Sequence, residues 1–126
     1  MATWKDIGQD NLESAIGLLE AKFYRSSVSR FYYAVFSLLT FELVQRGAKD
    51  NFANRDTPSH RQLAGLLEAQ FTHFSSEKRE NLIRVLLHLY GARIGSDYSP
   101  LRVDRETAKS AFRDAEYIFK IVGTKT

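Results

Sequence analysis

Between Val28 and Val44 the chain is apolar in nearly every direction that a helix can present. Val28, Phe31, Tyr32, Ala34, Val35, Phe36, Leu38, Leu39, Phe41, Leu43 and Val44 leave little of the circumference polar. A helix of that kind must be wrapped by other elements, because water cannot cover it. Arg30 and Glu42 interrupt the run, so it reads as a buried helix and not as a membrane span. The pattern predicts a helix from about Ser27 to Arg46, closed by Gly47 at its C-terminal cap. One stripe departs from it. Ser26, Arg30, Tyr33 and Ser37 follow one another at steps of four, three and four, which stacks them on a single face.

The rest of the chain supplies the wrapping. A first helix opens at Thr3, with Asp6 three residues on in a capping-box arrangement. It carries Trp4, Ile7, Leu12, Ala15, Ile16, Leu19 and Phe23 on its apolar side. Residues 47–57 read as a polar loop, mobile or lid-like by its Gly, Asn and Asp content. Thr57 is the expected cap of a third helix, with Pro58 at its first position. That helix carries Leu63, Leu66, Leu67, Phe71 and Phe74. A fourth, with Leu82, Ile83, Leu86, Leu89 and Tyr90, is expected to end near Arg93 and Ile94 at Gly95. Asp104 caps the last helix, whose apolar face is Ala108, Ala111, Phe112, Ala115, Ile118 and Val122. With no convincing strand, these five helices are expected to make an all-α bundle, in a single domain over residues 1–126.

Composition narrows the function. The chain has 126 residues and no Cys, which excludes a disulfide scaffold, a thiolate metal site and a Cys nucleophile. No charged leader precedes an apolar run at the start, so a cytoplasmic location is expected, without a membrane. The net charge of +3 favours an acidic partner only weakly. His60, His73 and His88 show no metal-ligand spacing with one another or with a carboxylate, and there is no phosphate loop; no metal and no cofactor is expected. Arg84 and His88 share a helix face as an ordinary surface pair. Exposed Trp4, Phe52 or Phe74 are candidates for an interface.

The chemistry concentrates in two places, the Arg30–Tyr33 stripe and the segment Arg93-Ile94-Gly95-Ser96-Asp97-Tyr98. A charged group on an apolar helix needs a partner, which for Arg30 is a carboxylate such as Asp97 or a ligand phosphate. Arg93 and Asp97 read in two ways. They form a pair that fixes the helix end, with Tyr98 packed over it, or a phosphate-binding group with its orienting carboxylate.

Ser29-Arg30-Phe31-Tyr32-Tyr33-Ala34-Val35-Phe36 resembles the second-helix signature of the HEPN superfamily. Arg93…Asp97-Tyr98, followed by a short loop and an Ala-spaced last helix, resembles the stand-alone prokaryotic members with an Arg…Asp-Tyr segment. The resemblance implies an up-and-down bundle of four to five helices that forms a homodimer. It also implies a toxin–antitoxin or defence role beside a minimal nucleotidyltransferase, and binding of RNA or a nucleotide. Many members are metal-independent endoribonucleases that use an Arg followed, after four to six residues, by a His. Here those positions after Arg93 are Tyr98, Ser99 and Pro100. A Tyr base starts roughly a thousandfold below a His at neutral pH.

The expected function is therefore a binding module in which Arg30, Tyr33, Arg93, Asp97 and Tyr98 converge on one polar pocket. Arg93 would grip a phosphate, Asp97 would orient it, and Tyr33 or Tyr98 would stack on a base. The alternative is a degenerate endoribonuclease, with Arg93, Asp97 and Tyr98 as its catalytic set. A third reading leaves the cluster a purely structural role.

Overall fold

The computed structural model describes residues 3–98 and 102–123. All regular structure among them is helical. α1 spans Trp4–Glu20, α2 Tyr24–Gln45, α3 His60–Gln70, α4 Ser76–Tyr98 and α5 Arg105–Gly123, with a short 3-10 helix at Ala48–Phe52. None of these helices is long and apolar enough to cross a membrane. α2 is the centre of the bundle and touches all four other α-helices as well as the 3-10 helix. Val28, Phe31, Val35, Leu39 and Leu43 along it are completely buried, which is where an all-round apolar helix has to lie.

Local sequence sets most helix ends. Thr3 and Asp6 form the reciprocal capping box, Thr3 Oγ1 accepting from the Asp6 N–H and Asp6 Oδ2 from the Thr3 N–H. Those bonds hold the Asp6 carboxyl below its usual pKa. Asp104 accepts from both the N–H and the hydroxyl of Thr107 at the start of α5. Gly47 follows α2 with φ +79°, the left-handed conformation that ends a helix cheaply at glycine.

Five expectations are corrected. α1 stops at Glu20, so Phe23 is not on its apolar face; it precedes α2 and is largely exposed. Residues 47–57 do not form a plain polar loop. The 3-10 helix packs on α2 and buries Ala48 and Phe52 completely. Phe52 is thus core and not interface, as is Phe74, which is 8% exposed. Ser59, not Thr57, caps α3, through a second capping box with Gln62. α4 runs straight through Gly95 to Tyr98. Glycine costs a helix interior about 1 kcal/mol, too little to end a helix that gains packing and an i,i+4 ion pair beyond it.

Two glycines of α1 give opposite predictions. A β-carbon on Gly8 would sit 3.0 Å from the Ala34 carbonyl oxygen and 3.2 Å from the Leu38 nitrogen, both backbone atoms of α2. Gly17 has nothing within 4 Å of that position. Gly8→Ala is expected to destabilise by about 1–3 kcal/mol, because the α1–α2 crossing must open. Gly17→Ala is expected to stabilise by about 0.4–1 kcal/mol through the unfolded chain's lost freedom. Urea melts of the two variants check both signs.

Candidate functional site

Tyr32 and Tyr33 are adjacent on α2, so their side chains diverge by about 100° around the helix. Arg93 of α4 lies against both. Its guanidinium carbon is 5.6 Å from the Tyr32 ring centre and 5.0 Å from that of Tyr33, within cation–π range. Nη2 donates to the Tyr33 hydroxyl at 2.8 Å. Nε lies 3.0 Å from Asp97 Oδ2, an ion pair that is close but not aligned as a hydrogen bond. The Arg93 side chain is 12% exposed. It is sheltered, with its charge partly neutralised and its plane held. Because α4 continues past Gly95, Asp97 stands one helical turn from Arg93. This is the i,i+4 geometry, not the loop closure that the sequence suggested.

A third group enters from α3, and the sequence reading assigned it no role. His60 is the first residue of that helix, placed there by the Ser59–Gln62 capping box. Its Nδ1 lies 2.6 Å from the Tyr32 hydroxyl. Its ring packs on Phe36 at 4.7 Å and stacks on Tyr90 at 5.7 Å with an interplanar angle of 22°. Burial lowers the His60 pKa, and the charges of Arg93 and Arg55 lower it further. Burial also drives the Tyr32 phenol well above its ordinary value, with Tyr90 and Tyr33 adding to the rise and Arg93 opposing it. At neutral pH the site therefore holds a neutral imidazole, a protonated phenol and a fixed guanidinium. The signal for His60 was present as Ser59-x-x-Gln62, which puts residue 60 at a helix start. Nothing in the sequence says that this start faces Tyr32.

The remaining stripe residues lie beside this cluster. Arg30 is exposed and donates from Nη1 to Asn11 Oδ1 of α1 at 2.9 Å; its partner is an amide, not Asp97. Arg30 and Tyr33 line a groove of about 570 Å³ between α1 and α2, together with Trp4, Ile7, Asn11 and Phe36. Tyr33 therefore joins the groove to Arg93, whereas Arg30 faces the groove alone. Tyr98 ends α4, and its side chain lies outside the described residues. Arg84 and His88 do not act as a pair. Arg84 bonds Asn81, and His88 Nδ1 meets Asp114 Oδ2 of α5 at 2.5 Å. His73 is engaged by Arg46 at 2.9 Å. Of the three histidines, His60 is the one beside Arg93.

Chemically, a sheltered guanidinium whose Nη1 has no protein partner among the described residues, close to a neutral imidazole and phenol rings, suits an anion with a flat group attached. Comparison with known proteins agrees with the fold. The profile of the family described as HEPN domain matches residues 1–125. A curated protein of Methanocaldococcus jannaschii, named a "putative toxin", is 29% identical over 113 residues, which cover 88% of this chain and 77% of that protein. No solved structure matches.

Proposed function

The chain belongs to the HEPN family, and from that premise we propose that it is a binding module that holds a phosphate of RNA or of a nucleotide at Arg93. It works as a homodimer in a toxin–antitoxin or defence setting, with a minimal nucleotidyltransferase as partner. The likeness to a protein named as a toxin supports the setting. The observation that carries the binding role is the Arg93 guanidinium, clamped by Tyr33 and Asp97 between two phenol rings. That clamp fixes a donor plane before any ligand arrives, so little ordering entropy is left to lose on binding. Asp97 orients the group, and Tyr33, at the edge of the groove, is placed to meet a sugar or base.

One observation favours the endoribonuclease alternative. His60 offers an imidazole beside Arg93, although no His follows Arg93 at the spacing of the family's ribonuclease members. Metal-independent cleavage needs a positioned proton-transfer group, and imidazole is the side chain that most often serves as one. A single experiment separates the two readings. The purified protein is incubated in EDTA with single-stranded RNA and, in parallel, with the uncleavable 2′-O-methyl oligonucleotide of the same sequence. The binding reading expects the second to bind and the first to stay intact. Cleavage that is lost in Arg93→Ala would make this an enzyme, and no binding of either strand would remove the phosphate role.

A further inference from the structure

We infer that the groove between α1 and α2 is a second nucleotide subsite, which stacks the base next to the Arg93-bound phosphate on Trp4 and holds the following phosphate at Arg30. The ligand is then a single strand of nucleic acid and not a free nucleotide. The inference rests on the phosphate-binding reading of Arg93.

The groove is continuous with the Arg93 clamp through one side chain. Tyr33 accepts from Arg93 Nη2 at 2.8 Å and also lines the groove. Arg30, three residues earlier on α2, lines the same groove, and positions three apart are neighbours on a helix surface. Tyr33 thus links two cations, bonded to one and sharing the groove wall with the other. A nucleoside monophosphate carries its charge on one phosphate and needs one such cation. Two cations with an aromatic side chain between them in the path suit successive phosphodiesters of a strand.

Arg30 is held in place without being neutralised. Its Nη1 donates to Asn11 Oδ1 at 2.9 Å, and Asn11 Nδ2 donates to the Ile7 carbonyl oxygen at 3.0 Å. The second bond fixes which end of the amide meets the guanidinium. An amide carries no charge, and no carboxylate among the described residues pairs with Arg30. No residue lining the groove is acidic. A positioned guanidinium with nothing to offset its charge is complementary to an anion.

The rest of the lining favours a base. Trp4, Tyr33 and Phe36 bring three aromatic side chains to a volume of about 570 Å³, inside the roughly 300–1,000 Å³ of small-ligand sites. Trp4 is half-buried and follows directly on the Thr3–Asp6 capping box, which fixes the start of α1. Rings interleaved with cations serve a single strand, since bases stack on the rings while phosphates meet the charges. A second copy of the chain fits less well. An isologous contact across this groove would bring together two Arg30 side chains, with no carboxylate from either lining.

Trp4 is the single tryptophan of the chain, so its fluorescence reports on this groove. The protein is titrated with a short single-stranded 2′-O-methyl oligonucleotide, with an abasic strand of the same length and with a 5′-nucleoside monophosphate. Trp4 emission and strand anisotropy are both read. The base-bearing strand is expected to quench Trp4, the abasic strand to bind with little quenching, and the monophosphate to bind more weakly than either. Arg30→Gln is expected to lower the slope of log affinity against log salt by about 0.7, the share of one phosphate contact on a single strand. Trp4→Leu is expected to weaken binding about fivefold or more and leave that slope unchanged. Strand binding that leaves Trp4 emission unchanged, an Arg30→Gln slope equal to that of the wild type, or a monophosphate that binds as tightly as the strand overturns the inference and leaves the Arg93 role standing. So does Trp4 emission that shifts with protein concentration alone, which would give the groove to a second copy. Wild-type protein that binds neither strand nor monophosphate, or binding indifferent to Arg93→Ala, overturns both.

Discussion

Arg93→Ala is expected to weaken binding of single-stranded oligonucleotide by about 30-fold or more, corresponding to 2 kcal/mol or above. Arg93 combines four conditions that make a charged contact strong. Its side chain is mostly buried, its plane is fixed by two phenol rings, its Nη2 is engaged by Tyr33, and Asp97 holds Nε. Truncation removes the donor and also frees the Tyr33 hydroxyl and the Asp97 carboxylate, whose negative charge would then repel a phosphate. Arg93→Lys is expected to recover only part of the loss, because an ammonium lacks the fork that engages two oxygens at once and keeps contact with the rings. Fluorescence anisotropy at fixed salt checks both variants. The purely structural reading predicts a different pattern, a lowered melting temperature with binding intact, so a melt run beside the titration decides between them.

Phe31→Ala is expected to destabilise the fold by about 3–5 kcal/mol. Phe31 is wholly buried on α2, and its ring meets Phe112 of α5 at 5.6 Å between centroids. Removing it opens a cavity where two helices cross, and α2 cannot move to fill it without losing its contacts to the others. Since a domain's whole margin is roughly 5–15 kcal/mol, this one change consumes a large share of it. A melting-point drop on the order of 10–20 °C, followed by circular dichroism, is the matching observation. A drop of only a few degrees would mean that the core around α2 repacks, against the close helix approach seen at Gly8.

Most of the fold was legible because helices are written locally. The all-round apolar run from Val28 to Val44 required a central helix, and α2 is central. Thr3 with Asp6, Asp104 with Thr107 and Gly47 all act within a few residues of themselves, so their roles could be read without knowing the neighbours. The errors fall where two local signals compete. Thr57-Pro58 and Ser59-x-x-Gln62 both announce a helix start, and the second prevails through two reciprocal bonds. Gly95 reads as a stop, but a glycine's cost is small against the further turn of α4 that sets Asp97 against Arg93.

For the candidate site, residue types and spacing singled out Arg93 and Asp97, and the stripe singled out Tyr33. That Arg93 meets Tyr33 across 60 positions, and that His60 locks onto Tyr32 across 28, depends on how α2, α3 and α4 cross. Arg30, on the same stripe, bonds Asn11 of α1 instead, because a neighbouring turn of a central helix faces a different neighbour. Periodicity and capping determine which segments are helices and which faces are apolar. Only packing decides which polar groups share a face of the assembled bundle, since that is a relation between segments and no stretch of either one encodes it alone.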